Sequence, residues 1–164
     1  MKKLYLLMNL VWFSCLNTNY NLENLKTTKE ELFKEAVFYA TRNDSKSMDK
    51  IILNRKEHNE FFWKHVGERF TSDPGMTPDL AYDHMSLETR IAWRELIRDL
   101  NGKNLEFSKV ECTAPSEVYG PFTLIRGCIS YFRNLDTDEM IQIKKIRNII
   151  QYNGKVKIYN LKRD

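Results

Sequence analysis

Hydrophobic and polar positions follow three successive patterns along this chain: an unbroken apolar block, a stretch with helical spacing, and an alternating tail. The block runs from Leu4 to Phe13 and is interrupted only by Asn9. In the second stretch Leu32, Phe33, Ala36, Val37 and Ala40 recur three and four apart, which predicts a helix ending near Thr41. Thr27-Thr28 offers a hydroxyl cap ahead of it, with acids in the first turn. Asn43-Asp44-Ser45 breaks that helix and caps a shorter segment carrying Met48, Ile51, Ile52 and Leu53. An aromatic-rich stretch follows from Glu57 to Phe70, then a Pro- and Gly-containing loop over 72–79. Thr77-Pro78-Asp79 suits a helix start. The helix should run to about Leu100 with Leu80, Leu87, Ile91, Leu96 and Ile97 inward, and Asn101-Gly102 should end it.

From Leu105 the period shortens to two. Leu105 to Cys112 alternates, with a phase slip at Ser108-Lys109 that predicts a bulge. Phe122 to Phe132 places Ile125, Gly127, Ile129 and Tyr131 on one face, and Glu139 to Tyr152 is rich in Ile. Asn153-Gly154 is a two-residue hairpin signal whose register pairs Ile149 with Ile158. Together these give an α+β domain: N-terminal helices packed on one face of a curved, four-stranded antiparallel sheet.

Composition narrows the class. The chain has 164 residues, enough for one domain with one core, and its 42% hydrophobic content excludes disorder for the bulk of it. The excess of base is modest, +4, and falls to +2 without Lys2 and Lys3. Acids and bases interleave, as in Lys29-Glu30-Glu31-Lys34-Glu35, so nucleic acid is not an expected partner. The densest basic runs, 144–147 and 155–157, fall on predicted strands and read as a solvated sheet face.

The opening block is an address. Met1-Lys2-Lys3 is a short positive start, and the ten or so apolar residues after it are fewer than the ~20 a bilayer-spanning helix needs. Ser14 is small and Cys15 follows it, so residues 1–15 resemble a bacterial lipoprotein signal peptide. That resemblance implies removal of residues 1–14, lipid attachment at Cys15 and a location in the cell envelope, at the outer membrane or cell surface. Trp12 and Phe13 depart from the usual residues at that site. The polar residues after Cys15 suggest a tether over 15–26, leaving residues 27–164 as the domain.

Two cysteines remain, Cys112 and Cys128, and in an oxidising compartment they are a candidate disulfide. A hairpin turning near Glu117 would set Cys112 opposite Phe122, about six residues and roughly 20 Å from Cys128. That exceeds the ~7 Å limit for bridging. Two separately buried thiols are therefore the expectation.

The element order, the Asn43-Asp44 break and the last hairpin, Tyr152-Asn153-Gly154-Lys155-Val156-Lys157-Ile158-Tyr159, resemble the NTF2-like (cystatin-like α+β cone) domains of small bacterial lipoproteins. The long helical stretch over 57–100 departs from the compact form of that family. The resemblance implies an apolar pocket at the mouth of the cone. Asp83, His84, Glu88 and Tyr119 are the polar residues that would line it, yet none sits in a catalytic motif. His58 and His65 share a helix face but stand seven residues apart, too far to grip one ion, so neither a metal nor another cofactor is expected. The favoured function is a non-catalytic envelope domain that holds a small ligand or an envelope protein, attached to the membrane through its lipid. The alternative is a small lyase, isomerase or hydrolase using a pocket carboxylate or histidine.

Overall fold

A computed structural model describes residues 20–66 and 75–163. The apolar block, Ser14, Cys15 and the loop residues 72–74 lie outside the described residues. Among the described residues four α-helices precede an open antiparallel sheet of five strands. Helix α1 spans Lys29–Thr41, and Thr28 caps it by accepting a hydrogen bond from the Glu31 amide. Helix α2, Ser45–Ile51, is capped by Asp44. A π-helical stretch, Glu57–Phe62, runs straight into the single turn α3, Trp63–Val66. Helix α4, Pro78–Leu100, starts with Thr77 as its cap and Pro78 in its first turn.

The buried face of α4 is set by Met85, Thr89, Ala92, Trp93, Leu96 and Leu100, whereas Leu80 and Leu87 are exposed. The expected inward face is thus rotated. Two polar atoms fix the true one: the Trp93 indole donates to Ser45 Oγ at 2.9 Å, and Thr89 Oγ1 accepts from the Leu161 amide at 3.3 Å.

The strands are β1 Leu105–Tyr119, β2 Phe122–Asn134, β3 Met140–Ile143, β4 Asn148–Tyr152 and β5 Lys155–Asn160. Their order is β1-β2-β4-β5, with β3 also on β2. The segment expected as one strand from Glu139 to Tyr152 is therefore two. Both pair with β2, β3 along Ser130–Arg133 and β4 along Phe122–Ile125, and the break between them buries Ile146. This break turns four expected strands into five. In the last hairpin Ile149 faces Ile158 as the two-residue turn requires, and Asn153 and Gly154 both take positive φ.

The β1–β2 hairpin turns at Gly120-Pro121, pairing Tyr119 with Phe122. A turn three residues beyond Glu117 moves every cross-strand partner by six, so Cys112 lies opposite Cys128 and the two are disulfide-bonded. The expectation of separate thiols fails on that turn position. Register slips occur between Phe107 and Lys109 and again between Ala114 and Glu117, the second around Pro115, which has no N–H to offer a ladder.

Gly127 reverses the facing of β2. Before it, Phe122 belongs to one buried cluster; after it, Cys128 and Phe132 belong to another, although all three share even spacing. Its φ of +66° allows this, and a Cβ there would stand 2.9 Å from that of Ala114. Ile125 accordingly packs with the second cluster, while Ile129 and Tyr131 are only half-buried on the other side.

Successive residues of a strand point to opposite faces. Ile149 packs with α1, α2 and α4, and its neighbour Ile150 packs with Leu53, Phe62 and Val66. The sheet is therefore covered on both faces at this end, not on one. The second cover includes the N-terminal segment. Leu22 is buried, Lys26 exchanges backbone hydrogen bonds of 2.8 Å with Val156, and the Tyr20 amide donates to Tyr152 Oη at 2.9 Å. The stretch expected as tether up to residue 26 is docked on the fold from Tyr20 onward.

Candidate functional site

The four polar residues expected to line a pocket are not gathered around one. Asp83, His84 and Glu88 lie on the exposed face of α4, with Asp83 paired to Arg55. Tyr119 closes the β1–β2 hairpin, where its ring meets Phe62 edge-on at 5.9 Å and its hydroxyl donates to Glu117. They fall apart because α4 presents the opposite side, through Met85, Thr89 and Trp93, to the core.

Two other places concentrate chemistry. The first is sealed. Lys157 and Glu57 are 1% and 2% exposed, and the ammonium donates to both carboxylate oxygens, at 2.8 and 2.7 Å, and to Glu23 O at 2.9 Å. Glu57 also accepts from the Glu23 and Asn54 amides at 2.9 and 3.0 Å. Burial pulls the Lys157 pKa down, and the bonds to Glu57 oppose that pull. Every strong partner of the pair is internal, so it clamps the N-terminal segment, the π-helical stretch and β5 together. The expectation that the two basic runs form a solvated face holds for Lys144, Arg147 and Lys155, which are exposed, and fails for two residues: Lys157 points into the second cover, and Lys145 is buried against Glu95 at 3.0 Å.

Around this pair lies an aromatic layer. His58 is buried among Phe62, Trp63 and Tyr82, with Nδ1 2.7 Å from Asn59 Oδ1, and burial lowers its pKa. His65 Nε2 is 2.8 Å from the Tyr20 hydroxyl. Burial pushes the Tyr159 phenol up to about 12. These groups are engaged with one another; among the described residues no cluster of His, Cys, Asp or Glu is placed to hold a metal.

The second place is open. A groove of about 770 Å³ runs between the C-terminal half of α1 and the start of β1, floored by Val37, Phe107 and Phe132. Phe38 on its rim is 47% exposed. Arg42 stacks on Phe38, its guanidinium carbon 3.9 Å from the ring centre, and Lys34 Nζ stands 5.0 Å from that of Phe107. Lys103 completes the cationic rim; Glu106 and Glu35 are the acids. Glu35 is engaged by Lys26 and by the Tyr39 hydroxyl at 3.0 Å. Among the described residues Lys34, Arg42 and Lys103 make no ion pair.

Arg42 and Lys103 follow the C-termini of α1 and α4, where cations offset the negative end of the helix dipole. That accounts for part of their placement. It does not account for Lys34, more than a turn earlier, nor for the aromatic surfaces beneath the cations. The last carbonyls of α1 are moreover already bonded: those of Tyr39, Ala40 and Thr41 accept from Asp44, Asn43 and Gly102. Cations over aromatic rings in an open trough suit a ligand that brings both negative charge and apolar surface. Composition hid this site because Lys34, Phe38 and Arg42 are four apart on one helix while Lys103 and Phe107 come from a distant segment.

No family model, no curated protein and no solved structure matches the chain. The class that the fold defines is an α+β domain with an open antiparallel sheet, of five strands among the described residues. Among the described residues no helix is long and apolar enough to cross a membrane.

Proposed function

We propose that this is an exported envelope protein, anchored by lipid at Cys15, whose domain binds a ligand or partner protein without transforming it. The observation that carries the reading is the Cys112–Cys128 bond. Disulfides persist in oxidising compartments and are rare where thiols are kept reduced, so a bonded pair supports export. The charged leader-like start of the chain supports the same address from the sequence side. The NTF2-like, cystatin-like affinity also belongs to this proposal. Helix-then-sheet order supports it, while the second covered face and the broken third strand depart from the expected form.

Binding is assigned to the α1–β1 groove, where cationic and aromatic side chains are presented together to solvent. The ligand it suits carries a carboxylate or phosphate beside an apolar group. The lyase, isomerase or hydrolase alternative draws no support from Asp83, His84 or Glu88, which face solvent. The test is fractionation of bacteria producing the full chain. Wild type should sediment with membranes and Cys15→Ser should not; equal partition of the two would end the anchor reading.

A further inference from the structure

We infer that the end of the domain built from Tyr20 and the β1–β2 turn lies against the membrane surface, with Val118 and Pro121 touching the lipid headgroups and the α1–β1 groove held outward. This rests on the lipid anchor at Cys15 proposed above. Four residues, 16–19, separate Cys15 from Tyr20, so the leash from the acylated residue spans at most about 17 Å. A domain of this size is roughly 35–40 Å across. A leash shorter than the body it holds cannot let the far side reach the surface.

Tyr20 is a firm end point for that leash. Its amide donates to Tyr152 Oη at 2.9 Å, its hydroxyl is 2.8 Å from His65 Nε2, and its ring packs on Phe61 and Phe122, each at 5.3 Å. Phe122 directly follows the turn at Gly120-Pro121, and the His65 ring fills the space where a Gly120 Cβ would sit. The leash therefore ends beside the hairpin tip. At that tip Val118 is 72% exposed, more than any other large hydrophobic residue among those described, and Pro121 is exposed as well. Apolar Val118 and Pro121 gain by meeting the membrane where headgroups border acyl chains. The groove sits where β1 begins and β2 ends, up to roughly 40 Å along the hairpin from this tip.

The test uses the acylated full chain in vesicles of phosphatidylethanolamine and phosphatidylglycerol doped with headgroup-labelled nitroxide lipid. A fluorophore is attached at Val118→Cys or, at the opposite end, at Leu135→Cys, which is 50% exposed beside Asn104. Quenching at 118 should exceed that at 135 several-fold. Inserting twelve Gly/Ser residues between Asn19 and Tyr20 should bring the two closer to equal. Equal quenching in the native-length chain, or stronger quenching at 135, overturns the orientation while leaving the anchor standing. Loss of acyl mass on Cys15 in the same preparation overturns the anchor and the orientation together.

Discussion

The sealed pair under the last hairpin and the open groove at the start of β1 both hold cationic side chains, to opposite ends. Lys157 is enclosed, and three acceptor contacts saturate its ammonium. Lys34 and Arg42 are exposed, lie over rings, and have no carboxylate partner among the described residues. An enclosed charge must be satisfied from within, so it locks elements together and is spent on the fold. An exposed charge without a partner costs the fold almost nothing and stays available to a ligand. The difference separates structural from functional chemistry here better than residue type does.

The largest expected effect breaks the sealed side. Glu57→Gln leaves the Lys157 ammonium buried without its counter-charge, and urea unfolding should register a loss of about 3–5 kcal/mol. Replacing both residues by Met should recover most of that loss. Recovery fails to appear only if the amide contacts to Glu23 and Asn54, and not the charge, are what matter.

Next in size is the disulfide. Its 16-residue separation closes a short loop. Changing Cys112 and Cys128 together to Ser should cost about 3 kcal/mol in the same measurement. A negligible loss would mean the β1–β2 ladder alone fixes the hairpin.

A smaller effect follows pH. Burial holds the folded His58 pKa below its usual 6.5, so below that value the unfolded chain binds more protons than the folded one. Stability should therefore fall as pH drops from about 6.5 toward the folded pKa of His58. The slope of Tm against pH over that window should flatten in His58→Gln. Asp44 and Asp79 are held below 3.8 by hydrogen bonds from Ser47 and Arg55, and their contribution is lost only at still lower pH. The smallest effect sharpens the contrast: Lys34→Glu and Arg42→Glu should each lower stability by no more than about 1 kcal/mol. The groove would lose its attraction for anions, read as a lost salt-sensitive shift when an acidic aromatic probe such as naphthoate is titrated.

What the sequence disclosed was local. Asn153-Gly154 admits one turn and so one register, and Thr28, Asp44 and Thr77 each cap the helix that follows. The phase slip at Ser108-Lys109 was visible because it breaks a period of two. What stayed hidden depends on distant partners. Tyr20 and Leu22 look like tether until Tyr152, His65 and the β5 edge are placed beside them. Lys157 alternates like a solvent-facing strand residue, and only the second cover, with Glu57 a hundred positions earlier, explains its burial. The candidate disulfide was set aside for separate thiols through leverage: a turn displaced by three residues shifts the opposing partner by six. The groove's residues come from three segments, α1, the start of β1 and the end of β2, that no spacing rule connects.

The most direct test is the intact mass of the protein extracted from its native membrane, measured after alkylation with and without reduction. The expected result is a chain beginning at Cys15 and carrying acyl mass, with Cys112 and Cys128 alkylated only once reduced. A chain that keeps residues 1–14, shows no acyl mass, and takes up alkylating reagent at both cysteines without reduction would contradict it.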